Sequence, residues 1–202
     1  LSFESNRQIK INFSGGDLSS DAGLLLIKEF AAKIGFSKLI KNKFKTNDKS
    51  VRFHKDNENL MQMIYQIIAA YFEDDCADEL THDPVFQAIL DKNALASQPT
   101  LSRFFNRMDE DTLRQFDDID QRLRDIVYSI KHPEHILLDL DSTLLGTYGH
   151  QEGEGFNFHY QAHGYHPLLC YDGLTGDLLK AELRNGNLHC SNDAEKFIEP
   201  LL

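Results

Sequence analysis

The chain changes character at Pro133. Before it, apolar residues recur at helical spacing; after it, short apolar runs ("HILLDL", "FNFHYQAH", "PLLCYD", "DLLKAEL") are separated by Gly-bearing turns. Side chains alternate with period two in a strand and repeat near 3.6 in a helix, so the two textures demand different elements. The expectation is an α+β or α/β chain: a mostly helical region over 1–131, then strands, a meander and a helix over 132–202. At 202 residues the chain is long enough to bury a real core, as one large domain or two small ones.

In the first region, "QIKINF" alternates polar and apolar residues and reads as a short strand ending at Gly15-Gly16. "SSDAGLLLIKEFAAKIGF" reads as a helix with Ser19 or Ser20 as N-cap and Gly35 at its end. "NENLMQMIYQIIAAYF", Asn57 to Phe72, lacks Pro and Gly and is apolar on nearly all sides, which predicts a buried helix. "EDDCADEL" and "DPVFQAIL" read as two short helices, the second opened by Asp83 and Pro84. In "SQPTLSRFFNRM", Thr100 is the N-cap candidate, Leu101, Phe104 and Phe105 point inward, and Arg103 and Arg107 share one face. A long helix from about Asp111 to Ile130 follows. Beyond Pro133, "DGLTGD" reads as a hairpin connection and "NDAEKFIEPLL" restarts helical periodicity.

Composition narrows the setting. No apolar run approaches the roughly 20 residues that span a bilayer, and "LSFESNRQIK" lacks a signal-peptide core. The expected location is the cytoplasm, with no membrane partner. Cys76, Cys170 and Cys190 are far apart and form no C-x-x-C pair, so neither a disulfide framework nor a cysteine zinc site is indicated. The net charge of -11 argues against nonspecific nucleic-acid binding by the whole surface, but the charge is unevenly spread. Lys28 to Lys55 holds nine Lys and Arg against two acids, and Asp56 to Asp91 holds nine acids and no Lys or Arg. A basic surface set against an acidic one is one reading; a solvated helix face followed by an acidic loop is the other.

"HILLDLD" carries the chemistry. On a strand, Asp139 and Asp141 face one side while Leu138 and Leu140 face the other. Two carboxylates projecting from a buried strand need a metal, a cation or solvent to compensate them; if they lie at an exposed strand end, they merely cap the next turn. The letters "LLDLDSTLL" fit the D-x-D-x-T nucleophile motif of haloacid-dehalogenase phosphatases, in which Asp139 would attack phosphorus and Asp141 would act as general acid and base. That family needs strand-helix-strand crossovers, whereas the 61 residues after Asp141 read as hairpins. A ribonuclease-H-like order fits better: an acid-bearing first strand, then antiparallel strands, then a helix, taken here as "ILLDLD", "FNFHYQAH", "DLLKAEL" and "NDAEKFIEPLL", with "PLLCYD" in or beside the hairpin.

At this point a resemblance becomes specific. "LSSDAGLLLIKEF", "YFEDDCADELTHDPVFQAIL", "LASQPTLSRFFNRM" and "LLDLDSTLLGTYGHQEGEGFNFHYQAHGYHPLLCYDGLTGDLLKAELRNGNLH", in this order, resemble DDE-type transposases of bacterial insertion sequences, the group-1 DDE class. The resemblance implies a metal-dependent enzyme that cuts element-end DNA and joins it to a target. Its partners would be terminal inverted repeats and target DNA, and it would work as a homo-oligomer on the nucleoid. It further implies two-metal phosphoryl transfer with Mg²⁺ or Mn²⁺. Asp141, directly before Ser-Thr, is the expected first metal ligand and catalytic acid, with Asp139 as runner-up. The family's second Asp lies just beyond a segment like "NDAEKFIEPLL" and its Glu much later, so the 202 residues are expected to be an N-terminal portion without activity of its own. A noncatalytic DNA-binding or interaction remnant is the alternative. "YGHQEGEGFNFHY" belongs to the family's pattern, so the resemblance implies that Gln151, Asn157 and His159 orient DNA or the metal-bound acid.

For DNA contact the candidates are Lys38, Lys41, Lys43, Lys45, Lys49, Arg52 and Lys55, with Arg103 and Arg107 on the "PTLSRFFNRM" helix and Arg184 in "RNGNLH". Lysines without interleaved base-reading side chains indicate backbone recognition. His150, His159, His163 and His166 are the densest histidine cluster. On a strand His159 and His163 share a face with Asn157 and Gln161, which reads as a polar face beside the active site more readily than as zinc.

Overall fold

The computed structural model describes residues 3–10, 12–14 and 20–202. The chain divides into two compact units, Leu1–Ile119 and Asp120–Leu202. The first contains α1 (Leu24–Lys33), α2 (Phe36–Lys43), α3 (Asp56–Ile68), α4 (Cys76–Leu80), α5 (Pro84–Leu90), α6 (Gln98–Phe105) and the start of α7 (Glu110–Ile130), so the division falls inside α7.

Local chemistry sets most of these boundaries. Gly35 takes a left-handed φ of 71°, which ends α1 and lets α2 begin at the next residue. The residue before α1 is Gly23; Ser20 lies in a turn ahead of it, and Ser19 is outside the described residues. In "QIKINF", Lys10 makes a β-bridge, while Ile11 and Gly15-Gly16 are outside the described residues. Asp83 accepts a hydrogen bond from the Phe86 N–H at 2.8 Å, and Pro84 occupies the first turn of α5, as the sequence indicates. At α6 the cap is Ser97, one turn earlier than the expected Thr100, because Gln98-Pro99 already adopt helical geometry. Phe105, expected inward, is 43% exposed.

The buried face of α3 carries Leu60, Met61 and Tyr65 together with Asn59, Gln62 and Gln66. Ile67 and Ile68 are exposed instead, so the helix is not buried on all sides. Gln62 explains part of the inversion: its carboxamide accepts from the Ala96 N–H and donates to the Ala96 carbonyl, both at 2.8 Å, which satisfies a polar side chain in the interior. Around it Ile40, Phe86, Leu101 and Phe104 are essentially inaccessible, and Phe44 packs on Phe104 and Phe116 with ring centroids 5.8 and 5.3 Å apart.

The second unit holds the rest of α7, β1 (Leu138–Ser142), β2 (Leu145–Gly146), β3 (Gly155–Asn157), β4 (Ala162–Tyr165), β5 (Leu168–Asp172), β6 (Leu178–Glu182), α8 (Ala194–Ile198) and a 3-10 turn, Glu199–Leu201. These strands form two antiparallel sheets of order β1-β5-β6 and β2-β4-β3. The whole is α+β. Leu138 and Leu140 pack with Leu168, Cys170, Leu179 and Phe197 of α8, where a fully buried Leu or Phe contributes about 1.5–3 kcal/mol.

One assignment needs correction. The partner of β1 is "LLCYD", not "FNFHYQAH": Asp139 lies opposite Tyr171 and Asp141 opposite Leu169. "FNFHYQAH" is broken into β3, a turn and β4, because the buried Asn157 accepts the N–H groups of His159 and Tyr160 at 3.0 and 3.1 Å and Gln161 adopts a φ of 54°. Asn157, His159, Gln161 and His163 therefore do not share one strand face. "DGLTGD" does connect β5 to β6, with Gly176 at φ 80° donating to the Asp172 carbonyl at 2.7 Å. Every strand pairing among the described residues is antiparallel, unlike the parallel crossovers of a phosphatase of the haloacid-dehalogenase type.

Candidate active-site cavity

β1 presents its two aspartates as strand alternation requires. Asp139 and Asp141 are exposed, and Leu138 and Leu140 are half-buried on the side of the hydrophobic cluster. Behind them, burial pushes the Cys170 thiol up, and the Asp139 charge adds to the shift.

The two carboxylates then diverge in setting. Asp141 lines a cavity of about 350 Å³ with Ser142, Asn157, His159, Tyr160 and His166, closed by the segment Asn187 to Cys190. Asp139 does not line it; its Cβ lies near Gly173 at the β5–β6 turn. Asp141 accepts only a short-range bond from the adjacent Ser142 N–H at 2.8 Å among the described residues, which leaves carboxylate lone pairs for a ligand.

The cavity walls are held by backbone-directed bonds. Asn157 donates to the Gly186 carbonyl at 2.8 Å while its oxygen caps the turn at His159 and Tyr160. Tyr160 donates its hydroxyl to the Ser142 carbonyl at 3.2 Å, joining that turn to the end of β1. His166 is buried, and its Nδ1 lies 2.8 Å from the Leu188 carbonyl. A carbonyl only accepts, so Nδ1 carries the proton, and in the neutral ring Nε2 is the free acceptor. Gly186 has no room for a side chain: a Cβ there would meet the Gly164 and Gly155 carbonyl oxygens at 2.0 and 2.4 Å.

Arg184, expected as a surface phosphate contact, is 6% exposed. Its Nε donates to the His166 carbonyl at 3.2 Å and its Nη1 to the Asn192 carbonyl at 2.8 Å, so it fastens the cavity loop from within. Gln151 is exposed and does not line the cavity. The histidine cluster is divided: His159 and His166 line the cavity, whereas His150 and His163 face Glu154 with Nδ1 to carboxylate distances of 3.6 and 2.9 Å. Tyr160, Asn187 and His189 are cavity residues that sequence reasoning passed over. Asn185-Gly186 in "RNGNLH" is a turn-forming pair, but nothing in its letters shows which strand end the turn covers.

The described residues contain no group of three or more His, Cys, Asp and Glu side chains placed to hold a metal ion. Asp141 offers one hard oxygen donor group of the type Mg²⁺ or Mn²⁺ takes, and His166 one nitrogen, so the donor set fits a contribution to a divalent site and not a finished one.

The candidate DNA-contacting cations also separate. Arg107 pairs with the buried Asp56 through Nε at 3.2 Å and Nη2 at 2.6 Å, and Arg52 reaches the same carboxylate at 3.3 Å. Lys43 pairs with Asp118 at 2.8 Å. Lys41, Lys45 and Arg103 are exposed, and no ion pair holds them among the described residues. No helix is long and apolar enough to cross a membrane among the described residues.

The family described as transposase DDE domain group 1 matches the chain over residues 1–202. No curated protein and no solved structure matches it.

Proposed function

Because the chain belongs to the group 1 family of transposase DDE domains, we propose that it acts on DNA as part of a bacterial insertion-sequence transposase and that Asp141 is its first metal-binding carboxylate. In this reading residues 132–202 are the opening strands and helix of a ribonuclease-H-like catalytic domain, and residues 1–131 are a helical DNA-binding or dimerisation region. Element ends and target DNA are the substrates, and the working form is a homo-oligomer.

The observation that carries the reading is the position of Asp141. It stands on β1, the edge strand of the β1-β5-β6 sheet that precedes α8, and its carboxylate opens into a cavity instead of into the core. Divalent Mg²⁺ or Mn²⁺, which this family generally uses, would supply activation of water or a 3′-hydroxyl and stabilisation of the leaving oxygen. The chain's own residues would do the positioning. Asn157 and Tyr160 hold the β3–β4 turn against the end of β1, and Arg184 and His166 hold the loop that closes the cavity. Asp139, outside the cavity, would be a supporting charge and not a ligand.

Mn²⁺ is the direct probe. Titrating it into the protein should broaden the amide NMR signals of Asp141, Ser142 and Tyr160 before those of unit 1, and Asp141→Asn should remove that effect while Asp139→Asn keeps it. Equal broadening in wild type and Asp141→Asn would overturn the assignment.

A further inference from the structure

The turn between β3 and β4 carries aromatic rings that the hydrophobic core does not use. Phe158 is 77% exposed and lines the Asp141 cavity, together with the exposed rings of His159 and Tyr160. Single exposed apolar side chains are common, but three accessible rings on one cavity wall form a patch. The backbone that carries them is held in place. Asn157 accepts the N–H groups of His159 and Tyr160, and the Gln161 carboxamide donates to the Phe158 carbonyl at 2.5 Å. Phe156 meets the Phe158 ring edge-to-face with centroids 5.2 Å apart, and most of the Phe158 ring stays open. Open rings on a fixed turn are preorganised for a flat ligand, because little ordering remains to oppose binding.

The rest of the lining narrows the ligand. Among the described residues it contains no Lys and no Arg, so it offers a phosphate no cation except through a metal on Asp141. Its volume of about 350 Å³ falls at the lower end of the roughly 300–1,000 Å³ of small-ligand sites. Beside the rings stand an exposed Asn187 and the Nε2 acceptor of His166. Aromatic faces flanked by amide and imidazole groups suit a flat, uncharged group with polar edges. On DNA the bases have that character and the sugar-phosphate backbone does not. Inside a duplex both faces of a base are already stacked, so only an unpaired base can lay a face on a side chain.

We propose that Phe158, with Tyr160 beside it, is a stacking platform for an unpaired DNA base on the same cavity as the Asp141 carboxylate. The inference rests on the proposed action on DNA and names the form of DNA that the cavity takes, single-stranded or locally opened. Stacking tolerates any sequence, because every base has a π-face.

Fluorescence anisotropy on the full chain, with labelled oligo(dT) and an abasic strand of equal length, tests it. Wild type should bind oligo(dT) about fivefold or more tighter than the abasic strand, the lower end of what one stacked base provides. Phe158→Ala should remove that preference and leave the melting temperature unchanged, because the side chain is exposed. Phe158→Leu, apolar but not planar, should remove it as well. The chain has no tryptophan, so Phe158→Trp sets a single reporter at the turn. That variant should keep the preference, and oligo(dT) should quench its emission where the abasic strand and an oligo(dA)·oligo(dT) duplex do not. Equal binding of the two strands, a preference that Phe158→Leu retains, or emission from Phe158→Trp that ignores oligo(dT) or responds equally to the duplex would overturn the proposal and leave Phe158 as a surface for further protein. The two levels fail differently. If no form of DNA binds, the action on DNA falls and this inference with it, whereas DNA binding without a base preference sinks the inference alone.

Discussion

Arg107 grips the buried carboxylate of Asp56 with two of its guanidinium nitrogens, at 3.2 and 2.6 Å, and donates its third to the Arg103 carbonyl at 2.8 Å. Thr46 and Arg52 complete the set around Asp56, so the segment before α3, the first turn of α3 and the segment after α6 meet at one charge. An arginine so engaged is a fold element and not a phosphate contact. Arg107→Met should lower the stability of the first unit by about 2–3 kcal/mol, somewhat less than the loss of a fully buried partner because Arg52 and Thr46 remain. Denaturant unfolding measures this, and a change within error would show that solvent compensates Asp56.

The exposed cations should behave in the opposite way. Charge reversal at Lys41, Lys45 and Arg103 should weaken DNA binding and flatten the slope of its salt dependence by about one for each phosphate left unneutralised, with little effect on the melting temperature. Lys43→Glu should instead cost stability, through repulsion of Asp118. Binding isotherms at several salt concentrations separate the two groups, and equal effects from Lys43 and Lys41 would erase the distinction.

Asn157 tests the architecture of the Asp141 cavity. Asn157→Ala removes three hydrogen bonds from a residue only 4% exposed and leaves the Gly186 carbonyl and two turn N–H groups to find new partners. The expected loss is about 2–3 kcal/mol, with hydrogen exchange accelerating first at His159 and Tyr160. Protection unchanged at those two amides would show that the turn stands without its cap.

His54 predicts an acid-side loss of stability. Its folded-state value lies below that of the unfolded chain, so between the two the unfolded state binds more protons. The stabilisation is therefore complete above the ordinary histidine value near 6.5 and is lost as pH falls through the lowered one. Unfolding midpoints measured from pH 7.5 to 5 should decline in wild type and flatten in His54→Phe. A parallel decline in both would assign the effect to other groups.

Several elements are written plainly in local sequence. Asp83-Pro84 opens α5, α7 starts one residue before the expected Asp111, and "DGLTGD" makes the β5–β6 connection, because caps, periodicity and turn residues act over a few positions. The alternation of "LLDLD" likewise settles which way Asp139 and Asp141 face relative to Leu138 and Leu140. What pairs with that strand is not local: "FNFHYQAH" has the alternation of a strand, yet the Asn157 cap breaks it and "LLCYD" pairs with β1.

The same limit applies to the candidate sites. By itself the sequence determined the strand that carries two carboxylates, its core-facing leucines and the family to which the chain belongs. Only the tertiary structure decided that Asp141 and not Asp139 borders a cavity, that Arg52, Arg107 and Arg184 are consumed by carboxylates and carbonyls, and that Asn59 is buried with nothing in hand. The reason is physical: side-chain direction follows from backbone period within one element, whereas burial and partnership arise from which distant elements pack together, and no spacing along the chain records that packing.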